Sequence, residues 1–583
     1  MTRTHWLCAS ALALVAVPLS AQTRPAFDAK RLSQHIQTIS GDSFEGRAPA
    51  TRGEQMTVDY LIRQFRAAGL QPGGEVIDGK RQWTQRVPLL KSDHSTPPQV
   101  SVQTAAGPMP LAQSEQVAVR SPTNGQQQVR ITGAPLVFAG YGVAAPGRQW
   151  DDFKGQDVRG KILVVLINDP DFEGGEGNFD GKAMTYEGRW TYKYEEAARR
   201  GAAGVMIVHE TDPASYGWAT VKNSNTITMF DIVRANPAAE HTPFESWIQR
   251  DTAVALFRAA GLDFEAAKQA AKRRDFQPID LKATLTASID AKTETINSFN
   301  VAGILAGKTR PDETLLFTAH HDHLGIGPAD ANGDRVYNGA VDNGTGIAHL
   351  IEQARAFARR PRTQRSVVFL AVGAEEKGLL GSEYYASNPL YPLGKTVAVL
   401  NTDVLGTWGR ARNFSIRGSA RLDLLDRLVA EGAKQGRQFT PEPNPGAGSF
   451  FRSDHFPFAK VGVPAISFGA GNDLVNGGIE RGDALAKDYT AKRYHQPDDE
   501  FSTAWDFSGM VEDAQLLHAV GYGLANSPDW PNWSSDSQFR SLRDQSAGER
   551  GGAAVPPPTA PPEATPPPTT SPDATPPAKG ERG

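Results

Sequence analysis

The feature that most constrains this chain is the alternation of apolar, strand-like runs with helical segments after Asn300. Such alternation is typical of a mainly parallel sheet with helices packed on its faces. Three of the runs cover residues 314–318, 366–372 and 396–400, and polar residues begin within three residues of the end of each run. The sequence therefore predicts an α/β fold, with a mainly parallel mixed sheet flanked by helices.

The polar residues after these three runs are of types that bind metal ions. In chain order they are His320-His321-Asp322-His323, Glu375-Glu376 and Asn401-Thr402-Asp403. In an open α/β sheet, ligands bind at the C-terminal edge of the strands, because neighbouring loops converge there on a crevice. We therefore expect the three clusters to lie close together at one edge of the sheet.

A fourth carboxylate, Asp342, lies at the predicted start of a helix within residues 339–346. Taken singly, Asp342 or Asn343 could be only a helix N-cap, and the glutamate pair could be only first-turn charges. Two adjacent glutamates directly after an apolar strand would nevertheless be desolvated unless a cation neutralises them. A bound divalent metal meets that requirement.

The identity of the metal is limited by the ligands that the chain can offer. Its single cysteine, Cys8, excludes an intramolecular disulfide framework, a Cys-ligated zinc finger and an iron–sulfur cluster. Imidazole and carboxylate ligands without a thiolate suit zinc, and also cobalt or manganese. A net charge of −4 and an apolar content of 39% disfavour a nucleic-acid binder and a protein with several membrane spans.

Together the motifs resemble those of the secreted co-catalytic dizinc aminopeptidases, a zinc-exopeptidase family that includes relatives of glutamate carboxypeptidase. Five motifs follow the family's order: His320-x-Asp322, residues 339–346 around Asp342, Ala374-Glu375-Glu376, Asn401-Thr402-Asp403 and Tyr494-His495-x-Pro-x-Asp499. The motifs span about 180 residues of this chain. The resemblance implies a zinc-exopeptidase fold and hydrolysis of peptides.

The resemblance also implies a cofactor of two zinc ions, with Co²⁺ or Mn²⁺ as alternatives. The implied metal ligands are His320, Asp342, Glu376, Asp403 and His495. Asp342 would bridge the two ions. His320 and Asp403 would complete one site, and Glu376 and His495 would complete the other.

Three further roles follow from the same resemblance. Glu375 would be the general base that takes a proton from water. Tyr494 would donate a hydrogen bond to the developing oxyanion. Asp322 and Asp499 would orient the metal ligands without binding metal themselves.

The chain departs from the family pattern in the first motif. The residue between His320 and Asp322 is usually a bulky aromatic residue in the relatives, and here it is His321. With His323, this places three histidines within four residues. Because the motif assigns only the first of them to the metal, we interpret His321 and His323 as structural or pocket-lining residues.

The two ends of the chain differ in composition from the rest. Residues 1–21 have Arg3 near the start, a short apolar run and Ser20-Ala21 before polar Gln22, which is the pattern of a secretory signal peptide. The apolar run is shorter than the roughly 20 residues of a membrane span. Residues 546–583 are rich in proline, alanine and threonine, and we predict a disordered tail there.

Between the ends, changes in residue pattern and the positions of the motifs divide the chain into four segments. The predicted segments are an N-terminal part of the peptidase domain (22–130), an inserted β-rich domain (131–230), a helical connector (231–290) and the catalytic dizinc peptidase domain (291–530). The second segment resembles a protease-associated domain through Phe138-Ala-Gly-Tyr-Gly-Val143 and Trp150-Asp-Asp-Phe-Lys-Gly155. The relatives use that domain as a lid or interaction module, without catalytic residues.

The favoured function is that of an exported metal-dependent aminopeptidase, periplasmic or extracellular, acting on peptides. We expect peptides as substrates, no nucleic-acid partner, and no stable membrane span once the signal peptide is removed. The sequence does not indicate an oligomeric state. Carboxypeptidase or dipeptidase action stays open as an alternative on the same fold. Cyclisation of N-terminal glutamine is disfavoured, because cyclases of this type use one zinc ion and the full set of five ligands is present here. A non-catalytic binding protein is disfavoured because all five ligands and Glu375 are present. No Gly-x-Ser-x-Gly elbow of a serine hydrolase occurs.

Overall fold

The structure is a computed structural model that describes residues 27–176 and 179–551. The predicted signal peptide at 1–21 lies outside the described residues, as do residues 552–583 of the predicted tail. None of the helices in the two described ranges combines the length and the hydropathy that a membrane span requires.

The central sheet has a parallel core. Four parallel neighbours run in the order Arg365–Val372, Arg310–His320, Thr396–Thr402 and Ala465–Gly469. Antiparallel strands border this core, with the end of Ile279–Leu305 on one side and Asn413–Ile416 on the other. Shorter strands at the periphery are Gln71–Pro72, Val76–Ile77, Lys80–Arg81, Gly325–Ile326, Val336–Tyr337 and Gln438–Phe439. The prediction of a mainly parallel mixed sheet is confirmed.

Helices cover both faces of this sheet. They are Ala29–Ile39, Arg52–Ala68, Gly344–Ala358, Leu380–Ser387, Asp423–Lys434, His455–Lys460, Gly478–Lys492, Ser508–Asn526 and Arg540–Gln545. Successive residues of the strand Arg310–His320 point to opposite faces, so Leu315 and Phe317 pack in one apolar core and Leu316 packs in the other. Burial on both faces explains why these strands are continuously apolar in the sequence.

Residues 95–290 form a second unit, called here the inserted unit. Its parallel strands are, in spatial order, Gln128–Phe138, Ile162–Leu166, Gly204–His209 and Phe244–Gln249. Its other strands are Gln99–Thr104, Gly107–Leu111, Val117–Val119, Ala144–Ala145 and Trp150–Asp151, and its helices are Trp190–Arg199, Thr211–Ala214, Trp218–Asn225, Arg250–Ala259 and Phe264–Ala271. The long strand Ile279–Leu305 pairs first with this unit and then with strand Thr84–His94 and the central sheet.

The inserted unit is wider than the segment 131–230 that the sequence predicted. Its buried apolar core runs from Val100 to Ile289, so it takes residues from the predicted segments 22–130 and 231–290. The strand Gln99–Thr104 carries polar residues at alternate positions, and Gly107–Leu111 contains a glycine and two prolines, which weakened the strand signal before residue 131. The segment 231–290 does contain two helices, but it also supplies the buried strand Phe244–Gln249.

The folded part also extends past Ser546, where the sequence placed the start of the tail. Residues Ala547–Arg550 form a short 3₁₀ helix. The guanidinium of Arg550 donates to the carbonyl oxygen of Gly394 at 3.1 Å and lies 5.7 Å from the ring centroid of Trp530. These contacts attach the first residues of the proline-rich segment to the central sheet.

Ion pairs join the inserted unit to the central domain. Lys460 Nζ lies 2.9 Å from Glu195 Oε1, and Arg234 lies 3.5 Å from Glu383 and 2.7 Å from Asp231. Asp231 in turn lies 3.0 Å from Nε2 of His241. A network of charges therefore ties the strand Met229–Ile232, which pairs with Thr84–His94, to both units.

His241 gives this network a dependence on pH. Burial alone would lower the pKa of His241, but the carboxylates of Glu245 and Asp231 outweigh it and raise the pKa to about 10. Since the folded pKa lies above the ordinary value of about 6.5, protonated His241 stabilises the fold fully below that pH, and the contribution is lost as the pH rises through about 10.

We expect His241→Gln to lower the melting temperature by about 5 °C at pH 6, with the deficit shrinking towards pH 10. Thermal unfolding of both proteins followed across this range measures the effect. His209→Gln is the matched control, because burial lowers the pKa of His209 and its substitution should not reproduce that pH trend. A deficit that stays constant from pH 6 to pH 10 would contradict the assignment.

Candidate metal centre

The three polar clusters meet at the C-terminal edge of the central sheet, as expected. His320 ends its strand, and Asp403 follows the neighbouring strand Thr396–Thr402 directly. Glu375 and Glu376 form a 3₁₀ turn three residues after Arg365–Val372. Because these strands are parallel neighbours, their ends bring side chains from distant parts of the chain to one place.

Asp342 and Asn343 have separate roles at the start of helix Gly344–Ala358. The side chain of Asn343 is the N-cap, accepting a hydrogen bond from Gly346 N at 2.9 Å. Asp342 is therefore not used as a cap. Its carboxylate is buried and turns towards the strand ends.

The carboxylate of Asp342 faces two imidazoles. Its Oδ1 lies 3.2 Å from Nε2 of His320, and its Oδ2 lies 3.3 Å from Nε2 of His495. His320 Nε2 is also 3.4 Å from Asp403 Oδ1, while His495 Nε2 is 3.1 Å from Glu376 Oε2. Two groups of possible ligands therefore share one carboxylate.

These separations fit metal coordination. Two ligand atoms of a tetrahedral zinc ion, each bonded at 2.0–2.1 Å, lie about 3.3 Å apart. The four contacts above fall between 3.1 and 3.4 Å. The structure thus brings together the five residues that the resemblance implies as ligands, with Asp342 between the other four.

The charge of the centre also calls for cations. Seven carboxyl groups are clustered there with little or no exposure, namely Asp322, Asp342, Glu375, Glu376, Asp403, Asp454 and Asp499. Among the described residues, two guanidinium groups act on this cluster, those of Arg47 and Arg417. So many carboxylates at one site leave a negative charge that divalent cations would neutralise.

Asp322 holds the glutamate turn in place. Its Oδ1 accepts a hydrogen bond from Glu375 N at 3.0 Å, and its Oδ2 accepts one from Glu376 N at 3.3 Å. Asp322 is fully buried behind the cluster. It therefore fixes the backbone from which both glutamate side chains project.

Asp499 does the same for the loop that carries Asp342. Its carboxylate accepts hydrogen bonds from Val341 N and Asp342 N, each at 3.0 Å. Burial raises the pKa of Asp499 to about 6. Both residues lie behind the predicted ligands and contact their backbone.

Glu375 and Tyr494 lie at the accessible side of the centre. The Glu375 side chain is 12% exposed, with Oε2 3.9 Å from Nε2 of His320. Burial, together with the carboxylates of Glu376 and Asp454, raises its pKa well above the ordinary value. Tyr494 is 41% exposed, and its ring stacks on that of His495 with centroids 3.9 Å apart.

The structure also places two arginines at the centre, and the sequence had pointed to neither of them. Arg47 is 1% exposed and donates to the carbonyl oxygens of His321 and Gly339 at 2.9 Å each. Arg417 donates to the carbonyl oxygen of Asp403 at 2.8 Å. Neither lies in a recognisable motif, and Arg47 precedes His321 by 274 residues, so no local signal pointed to them.

The neighbours of His320 have different surroundings. The ring of His321 donates from Nε2 to the carbonyl oxygen of Phe299 at 2.7 Å, away from the carboxylate cluster. The ring of His323 faces the cluster, and its Nδ1 lies 2.6 Å from Oε1 of Glu376. The sequence treated these two histidines alike, whereas the structure separates them.

Known proteins resemble this chain over the range that holds the centre. Residues 300–518 match the family model described as Peptidase family M28, a range that contains all the histidines and carboxylates of the centre named above. Aminopeptidase YwaD of Bacillus subtilis (strain 168) is 28% identical over 200 residues, which cover 34% of this chain and 41% of that protein. The probable lipoprotein aminopeptidase LpqL of Mycobacterium tuberculosis is 23% identical over 507 residues, covering 83% and 82%.

Among solved structures, an aminopeptidase from Aneurinibacillus sp. strain AM-1 aligns with 87% of this chain and 96% of its own, at 19% identity and a TM-score of 0.47. The chain spans about half the length of the first curated relatives that it matches, from 41% to 59%.

Proposed function

We propose that this chain, whose residues 300–518 match the model of peptidase family M28, is an exported zinc-dependent aminopeptidase that hydrolyses the N-terminal bond of peptides. One observation carries the proposal: the two oxygens of the Asp342 carboxylate face different imidazoles, His320 on one side and His495 on the other. A carboxylate placed in this way can bridge two metal ions. Asp403 and Glu376 would complete the two sites.

Zinc is the favoured metal because the ligand set combines imidazole and carboxylate without thiolate, with cobalt and manganese as substitutes. Bound zinc would polarise the scissile carbonyl and make a nearby water molecule more acidic. Proton transfer and stabilisation of the oxyanion would be carried out by side chains of the protein.

Glu375 would act as the general base and then as the general acid. Its turn is held by Asp322, so the carboxylate projects into the centre from a fixed backbone. A raised pKa favours transient uptake of the proton from water and its return to the leaving amine. Tyr494, exposed on the same side and stacked on His495, would donate a hydrogen bond from its hydroxyl group to the developing oxyanion.

The direction of cleavage can be tested with one peptide in three forms. We expect the free peptide and its C-terminal amide to be cleaved at similar rates, and the N-acetylated peptide about 100-fold more slowly, because a site that binds a free amine rejects an analogue lacking it. Mass spectrometry of the products over time measures all three. Faster cleavage of the acetylated peptide, with loss of its C-terminal residue, would instead establish carboxypeptidase action.

Export is proposed from residues 1–21, whose composition is that of a secretory signal. The name of the LpqL relative, a probable lipoprotein aminopeptidase, is consistent with an exported protein. Fractionation of cells that produce the full chain, with N-terminal sequencing of the mature protein, tests export and separates periplasm from medium.

A further inference from the structure

One buried arginine contacts two of the loops that supply the proposed metal ligands. Arg47 is 1% exposed and ends the short 3₁₀ segment Asp42–Arg47, far from the centre in sequence. Its Nε donates to the carbonyl oxygen of His321 at 2.9 Å, and its Nη2 donates to that of Gly339 at 2.9 Å. One planar group therefore joins the loop of the first motif to the loop that carries Asp342.

The same guanidinium is anchored to the first helix of the structure. Its Nη1 donates to the carbonyl oxygen of Ile39 at 2.9 Å and also to that of Asn338. Ile39 is the last residue of helix Ala29–Ile39, where carbonyl oxygens have no partner within the helix. Each of the three nitrogens of Arg47 is thus bonded to main-chain oxygen, so this side chain holds the backbone of three separate segments.

The turn that presents Arg47 fits closely against the chain between the two loops. Glu45, Gly46 and Arg47 have positive φ angles of 50°, 64° and 56°. A Cβ atom at Gly46 would lie 2.5 Å from the carbonyl oxygens of Gly325 and Tyr337, which face each other in the hairpin that connects the loops. Glycine at this position therefore allows the turn to lie against the hairpin and to direct the arginine inward.

The charge of Arg47 is balanced by the carboxylates of the centre. A buried guanidinium is costly to desolvate unless charges of the opposite sign lie near it. Burial lowers the pKa of Arg47 to about 10, and four carboxylates act in the opposite direction, namely Asp322, Asp499, Asp342 and Glu376. Arg47 therefore stays protonated at neutral pH, beside the cluster that would hold the metal ions.

We propose that Arg47 is a positioning residue whose guanidinium fixes the loop of His320 relative to the loop of Asp342, so that these two ligands are held in place before metal binds. This role rests on the proposed metal centre and belongs to a residue outside all five motifs. Ligands that are already ordered lose less conformational freedom on binding, so the metal is held more tightly. Lysine would supply the charge of Arg47 but not its planar set of donors, which separates geometry from charge alone.

Arg47→Lys and Arg47→Met test this role, with Arg543→Lys as the matched control. Arg543 is also 1% exposed and donates to the carbonyl oxygens of Thr396 and Val397, at the end of their strand that lies away from Asp403. In titrations of the zinc-loaded proteins with a chelator, we expect about 10- to 100-fold weaker zinc binding in both Arg47 variants and unchanged binding in the control. Zinc affinity in Arg47→Lys equal to that of the unmodified protein would overturn the proposed role.

Hydrogen exchange of the metal-free proteins, followed by mass spectrometry, separates positioning from a general effect on folding. We expect the amides of residues 39–47, 320–326 and 336–343 to exchange about tenfold faster in Arg47→Lys, with exchange in the rest of the chain unchanged. Faster exchange throughout the chain, or loss of the fold in both variants, would overturn the proposed role by making Arg47 a residue of general stability. Failure of the unmodified protein to bind zinc would instead refute the proposed function, and the exchange measurement would still test the two loops.

Discussion

Replacing Glu375 by glutamine is expected to lower kcat for an N-terminal aminoacyl anilide by about 100- to 10,000-fold while the protein keeps its full zinc content. Glutamine has nearly the same shape as glutamate but cannot accept and return a proton. The backbone of the turn should stay in place, because Asp322 accepts hydrogen bonds from the main-chain nitrogens of Glu375 and Glu376 and not from their side chains. Steady-state kinetics together with metal analysis of the same preparation measure both quantities.

A matched substitution on the protein surface controls for nonspecific effects. Glu294→Gln changes a glutamate whose side chain is 58% exposed and should leave kcat unaltered. Retention of more than a tenth of the activity by Glu375→Gln would show that another group moves the proton. Loss of zinc from Glu375→Gln would show that Glu375 is a ligand.

Asp342→Ala is expected to have the largest effect on metal content. The carboxylate of Asp342 is the group common to both proposed sites, so its removal takes one ligand from each ion at once. The substitution also removes the negative charge between the two sites, so two bound cations would repel each other more strongly. We expect the zinc content to fall from about two equivalents to one or fewer, with activity lost in parallel.

Metal analysis after gel filtration, with circular dichroism to verify the fold, measures this effect. Asp251→Ala provides the comparison, because the side chain of Asp251 is 95% exposed and belongs to the inserted unit. Two tightly held zinc ions in Asp342→Ala would contradict the bridging role.

The sequence predicted where the polar clusters meet, because local pattern and strand direction suffice for that, whereas the assignment of His495 and of the separate roles came only from the resemblance. Apolar runs identify the parallel strands, and parallel strands place residues such as His320 and Asp403 at the same edge. The helix Arg52–Ala68 has a similarly local signal in its sequence, since Val58, Leu61 and Phe65 recur at helical spacing on its buried face and Gly69 ends it with a φ of 91°.

The features that sequence did not reveal depend on contacts between distant segments. Arg47 reaches the centre through backbone carbonyls, which any residue can provide, so nothing in its neighbourhood marks it. His321 and His323, two residues apart, differ in surroundings because one ring contacts a backbone carbonyl and the other lies against a carboxylate. The extent of the inserted unit was missed because the strand Ile279–Leu305 is shared by two sheets.

The central claim is that five side chains, joined through Asp342, bind two zinc ions that are required for peptide hydrolysis. Zinc titration of the metal-free protein, with bound metal and aminopeptidase activity measured on the same samples, tests it most directly. The account predicts binding of about two equivalents, with full activity reached only when both are bound. Full activity in the metal-free protein, or saturation of both binding and activity at a single equivalent, would contradict it.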